Sequence, residues 1–201
     1  MRHIILISIG LTLAASATIS GTPALASTFE RARIAPELGV DAFTRSVARE
    51  QLGRDVFSSP YSAVTLGSVD IYNVFPYVEA RTFEVVSDPR WNRLVYGESG
   101  RSLKAFDGAG TTLGALSAPR GMAVDERNRI YVADAGNNRI VALDASTEFG
   151  EITLVAAFEI RGLSDPYDVA YSDGGTPFRT GDDVLYVADT GKNRVAAYAL
   201  G

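Results

Sequence analysis

Three observations predict an all-β fold of repeated four-stranded antiparallel blades, an incomplete β-propeller. The stretch VADAGNNRI at 132–140 returns as VADTGKNRV at 187–195. Short apolar runs lie between such stretches, and Gly, Pro, Asn or Asp interrupts them every eight to twelve residues, a rhythm that suits strands and turns and disfavours a helical repeat. The whole pattern recurs about every 40 to 50 residues, the period of one four-stranded blade.

The strands can be read off in order. PRGMAVDERNRIYVADAGNNRIVALD, from Pro119, aligns with PYDVAYSDGGTPFRTGDDVLYVADTGKNRVAAYAL, from Pro166. The two starts are 47 residues apart and the two motifs 55, and the difference of 8 is absorbed by the insertion GGTPFRTG and its neighbours. In the first of these copies Met122–Val124, Ile130–Val132 and Ile140–Leu143 read as three strands, and Ile152–Phe158 as a fourth. A degenerate third copy starts at Phe83, where Asn92–Tyr96 lies over Asn128–Val132 and Gly97-Glu98-Ser99-Gly100 replaces Ala-Asp-x-Gly-Asn-Asn. Gly201 follows a third strand with no fourth behind it.

Residues 1–26 have the form of a secretory signal peptide: Arg2 and His3, the apolar run IILISIGLTLAA, and a small-residue site ending Ala24-Leu25-Ala26. The apolar run is too short to span a bilayer, so cleavage near Ala26 and a secreted or periplasmic location are expected, with no membrane span. Residues 27–82 form a second region, with Val40, Phe43, Val47 and Leu52 near one face of a helix over about 36–52 and Gly53 as its stop. Beyond that helix, SAVTLGSVDIYNVFPYVEA is strand-like and suits an early or incomplete blade. Residues 83–201 are the propeller region.

Pro-x-Gly-Met-Ala-Val-Asp, Asn-Arg-Ile-Tyr-Val-Ala-Asp and Gly-Asn-Asn-Arg-Ile-Val-Ala-Leu-Asp resemble the NHL repeat. The resemblance covers about residues 83–201 and implies a propeller, commonly of six blades. A ring of that kind takes about 250 residues at roughly 42 per blade, whereas three units are present here. The expectation is therefore a fragment of a longer chain, or self-association through open blade edges. A shorter stretch, FTRSVAREQLGRDVFSSPYS, resembles the first helix and following strand of serpins, including a Ser-Pro-x-Ser turn at Ser59–Ser62.

Composition narrows the chemistry. Without residues 1–26 the chain keeps 18 Lys plus Arg against 24 Asp plus Glu, a formal charge of −6 with no basic cluster, so no nucleic-acid partner is expected. The only His is His3 and there is no Cys. The mature chain thus has no disulfide, no His/Cys metal site and no Ser-His-Asp or Cys-His catalysis. Any metal would be a hard ion held by oxygen. Asp173, Asp182 and Asp183 around the Gly-rich insertion are the candidates for Ca²⁺, although they lack the EF-hand order, and a solvated hairpin is the competing reading. Otherwise no cofactor is expected.

In the repeated nonapeptide each residue type has a backbone reason. Asp134 and Asp189 cap the turn, Gly136 and Gly191 permit a positive φ, Asn138 and Asn193 favour the left-handed region, and Arg139 and Arg194 open the next strand. The same Asp and Arg residues are also candidate ligand contacts. Arg120, Tyr167 and Asp168 are the stronger candidates: they sit where the chain enters each blade and differ between blades as a specificity set would. The resemblance extends to secreted propeller lyases and lactonases. The lyases need His ligands to zinc that this chain lacks, and Asp168 is the sole inward carboxylate for lactonase-like chemistry. The expected function is a secreted, non-catalytic module that binds protein or carbohydrate. The alternative is a hydrolase or lactonase whose active groups lie in blades outside this chain.

Overall fold

The computed structural model describes residue 52 and residues 59–72, 77–98, 102–148, 150–177 and 181–201. The expected helix at 36–52 falls outside these except for Leu52. So do the signal peptide and most of the serpin-like stretch.

The described chain is an antiparallel meander folded into three blades. The first comprises β1 (Ala63–Tyr72), β2 (Tyr77–Asp88), β3 (Arg93–Glu98) and β4 (Ser102–Phe106); the second β5 (Pro119–Val124), β6 (Arg129–Asp134), β7 (Arg139–Glu148) and β8 (Glu151–Ile160). The third comprises β9 (Pro166–Ser172), β10 (Val184–Asp189) and β11 (Arg194–Ala199). Within each blade the strands are paired in chain order, four, four and three. The fold is thus the partial propeller that the repeats predict. Its first blade takes in chain on both sides of residue 83, because Phe83 lies inside β2 and pairs with Leu66 of β1.

Blade faces stack through two apolar layers. Strand side chains alternate, so Ile130 and Val132 of β6 join Leu66, Phe83, Val85 and Leu94 of the first blade, while Tyr131 and Ala133 turn the other way to meet Leu163, Val169, Leu185 and Val187 of the third. The second blade is therefore buried on both faces, which is why β6 and β7 read as continuous apolar runs. In β10, by contrast, burial alternates: Leu185 and Val187 face inward and Tyr186 outward.

The alignment of the first blade differs from the one the sequence suggests. A short 3-10 turn follows the second strand in all three blades, at Pro89–Trp91, Ala135–Asn137 and Thr190–Lys192. Each ends on a left-handed Asn: Asn92, Asn138 and Asn193. Asn92-Arg93 is therefore the counterpart of Asn138-Arg139, not of Asn128-Arg129, and Asp88 is the counterpart of Asp134 and Asp189. The two choices look alike in sequence because Asn128 is also left-handed and also precedes an Arg. Under the correct alignment the motif spacings are 46 and 55 residues.

Candidate functional site

A lead-in loop opens each blade, and all three carry a proline at the same place: Ser59-Pro60-Tyr61-Ser62, Ala118-Pro119-Arg120-Gly121 and Asp165-Pro166-Tyr167-Asp168. The serpin-like Ser-Pro-Tyr-Ser turn is thus the lead-in of the first blade, where the Tyr61 N–H donates to Ser87 O and the Ser87 N–H to Ser62 O.

The repeated Asp and Arg hold these loops. Asp134 accepts the Ser117 N–H on Oδ1 (2.6 Å), and on Oδ2 it accepts Arg139 Nε (2.7 Å) and Asn137 Nδ2 (2.8 Å). The same guanidinium reaches on to the Leu113 and Ala115 carbonyls and to Glu159 of β8. In the third blade Asp189 accepts the Ser164 N–H (2.6 Å) and Arg194 Nε (2.8 Å). In the first, Asp88 accepts the Ser59 N–H and Arg93 Nε. Burial by itself would raise the Asp189 carboxyl, but the Ser164 N–H and the Arg194 guanidinium favour its charged form more strongly and hold it below the ordinary range. Such charge-assisted bonds outweigh neutral ones, so each carboxylate fastens the end of its second strand to its own lead-in loop and third strand.

The turn glycines serve a different purpose from the expected one. Neither Gly136 nor Gly191 has a positive φ; the left-handed residue in each turn is the Asn. A Cβ on Gly136 would come within 2.3 Å of Ser117 Oγ, and one on Gly191 equally close to Ser164 Oγ. Glycine is present because the lead-in loop passes too near for a side chain. Adjacent blades are joined through the Asn: Asn92 Oδ1 accepts the Ala118 N–H (2.8 Å) and Asn138 Oδ1 the Asp165 N–H (2.7 Å).

At the loop end the residues just after the lead-in prolines converge. Tyr61 and Tyr167 meet edge to face with ring centroids 5.3 Å apart. The Arg120 guanidinium carbon lies 5.1 Å from the Tyr167 centroid, and Arg120 Nη1 pairs with Asp165 at 2.8 Å. Asp168 closes the group by packing onto Gly121, where a Cβ would lie 2.6 Å from Asp168 Cα. The Tyr61 hydroxyl is pushed up to about 12 by desolvation, by its hydrogen bond with Tyr167 and by the nearby Asp168 charge, so it stays a neutral donor at physiological pH. Both tyrosines remain open to solvent, 41% and 44% exposed.

Arg120, Tyr167 and Asp168 therefore form one cluster. Asp134, Arg139 and Asp189 are sealed under the loops they hold, whereas Arg194 is exposed. Sequence reasoning passed over Tyr61, and the signal was there: Ser-Pro-Tyr-Ser has the pattern of the other lead-in loops. On the insertion, Asp182 takes the Thr176 hydroxyl, Asp173 accepts the Gly175 N–H, and Asp183 is buried. No group of three or more His, Cys, Asp or Glu among the described residues is arranged to hold a metal. No helix among them is long and apolar enough to cross a membrane.

The family model described as NHL repeat matches residues 116–143, which run from the lead-in loop of the second blade through the first half of β7. No curated protein matches the chain. Repeats of this family build propellers that mediate protein interaction, and the clamp at Asp88 and Asp189 extends the same unit to the blades on either side of the matched one.

Proposed function

On the premise that the chain is an NHL-repeat propeller protein, we propose that it is an extracytoplasmic, non-catalytic module whose loop end takes a partner protein. The observation that carries the reading is the Tyr61–Arg120–Tyr167 cluster. Tyrosine and arginine are the residue types on which binding energy concentrates at protein interfaces. Here two half-exposed rings and a guanidinium from three separate blades meet at one spot. The carboxylate clamps beneath hold the three lead-in loops in place, so little ordering cost remains for the binding step. The apolar run and small-residue site of residues 1–26 support export.

The test is site-specific photocrosslinking in cells that make the protein. A benzophenone side chain at Tyr167 is expected to give a discrete, protease-sensitive adduct that Arg120→Ala reduces about fivefold or more. Val155, exposed on β8, is the control position. Equal adducts at both positions, or none at Tyr167, would sink the reading, and an adduct removed by glycosidase but not protease would replace the protein partner with a glycan.

A further inference from the structure

The second residue after the lead-in proline is Ser62, Gly121 or Asp168 in the three blades, and only the last carries a charge. Ser62 uses its hydroxyl to join the second blade, accepting the Met122 N–H at 3.3 Å. Gly121 has no side chain, and a Cβ there would collide with Asp168 Oδ1. Asp168 itself accepts the N–H of its own neighbour Val169 at 2.9 Å, and no cation among the described residues pairs with it. It differs in this from Asp88, Asp134 and Asp189, each of which is held by a clamp arginine. The one guanidinium in the cluster, Arg120, is already matched by Asp165. One cation thus stands against two carboxylates, and at the Tyr61 hydroxyl the Asp168 charge acts more strongly than that of Arg120.

We propose that the loop end binds a cationic side chain, Lys or Arg, of the partner protein, with Asp168 as its counter-ion and the half-exposed rings of Tyr61 and Tyr167 as its wall. The proposal rests on the loop-end reading and adds the chemistry of the partner. Ring faces attract cations, and the carboxylate fixes where the charge comes to rest and turns acidic partners away. A second copy of this chain, with its net charge of −5, is a poor complement to an acidic site. The chain's own residues 27–58, which precede the first lead-in loop, hold five Arg and five Asp or Glu and so offer no surplus of positive charge either. A basic segment of another protein is the occupant that the charge of the site selects.

The probe is N-acetyl-lysine methylamide, with N-acetyl-norleucine methylamide as its uncharged isostere, added to the whole protein while the ring signals of Tyr61 and Tyr167 are followed by NMR. The lysine probe should shift both rings saturably, the norleucine probe should bind at least about fivefold more weakly, and Asp168→Asn should weaken the lysine probe by a similar factor. The amide of Asp168→Asn keeps an acceptor for the Val169 N–H, so the urea midpoint should not move. A lowered midpoint would mean that the carboxylate is already paired within the protein, and the proposal would fall. It would fall equally if neither probe bound, if the two bound alike, or if Asp168→Asn left the lysine probe unaffected. The photocrosslink at Tyr167 separates this proposal from the reading beneath it. An adduct that Asp168→Lys leaves undiminished keeps the protein partner and removes its cation, whereas no adduct with Asp168 in place removes both.

Discussion

The second and third blades carry almost the same words in different surroundings. IYVADAGNNRIVAL lies between two apolar layers, whereas LYVADTGKNRVAAY has one layer and an open face. Tyr131 is wholly buried, and Tyr186, at the same place in the repeat, is exposed. The carboxylate clamp is kept in both, yet its arginine is enclosed in one and half in water in the other. The comparison teaches that the turn is specified locally while its energetic weight comes from neighbouring blades.

Removing the clamp carboxylate should show this most strongly. Asp134→Ala takes one of two carboxylates from the buried Arg139, leaving Glu159, and orphans the Ser117 N–H, for which a loss of about 3 kcal/mol or more is expected. Asp189→Ala leaves Arg194 free to be hydrated and should lose roughly 1–3 kcal/mol, mainly from the orphaned Ser164 N–H. Urea unfolding of the two variants measures the gap, and equal losses would break the comparison.

The next pair tests packing at one repeat position. Ile140 is fully buried and Val195 is 71% exposed. Truncation to Ala should cost about 2–5 kcal/mol at Ile140 and stay within about 0.5 kcal/mol at Val195. A large loss at Val195 in a thermal melt would show that the open face is covered in solution.

The smallest effect is one of pH. The folded Asp189 carboxyl lies below its unfolded value, so its stabilisation is present above the ordinary aspartate range near about 3.9 and is lost as pH falls through the lowered folded value. The stability gap between wild type and Asp189→Asn should therefore be wider at pH 7 than at pH 3, read as the difference in urea midpoints. A gap independent of pH would remove the carboxylate's charge from the account.

Much of the fold was legible because it is local. Apolar runs broken by Asn, Asp and Gly mark strands and turns whatever surrounds them, and the four strands of the second blade fall where the sequence puts them. The first blade was harder because Pro89-Arg90-Trp91 replaces the Gly-containing turn, leaving only Asp88 and Asn92-Arg93 to mark it. With two Asn-Arg pairs to choose from, identity favoured the wrong strand. At the candidate site, Arg120, Tyr167 and Asp168 were visible as variable residues in a fixed frame. Tyr61 required recognising that Ser-Pro-Tyr-Ser does the same work as two loops with different letters.

By itself the sequence determined the repeating unit: an Asp that needs donors, a left-handed Asn, an Arg beginning a strand, and apolar alternation on either side. These are short-range requirements of backbone hydrogen bonding and side-chain period, written into neighbouring residues. Only the tertiary structure decided which donors the Asp receives, why the turn needs Gly, and which side chains from three blades share one surface. Those answers depend on close approaches between segments 15 to 60 residues apart, such as Ser117 over Gly136 and Ser62 beside Met122. Such distances are set by how blades stack, and no single stretch of chain carries them.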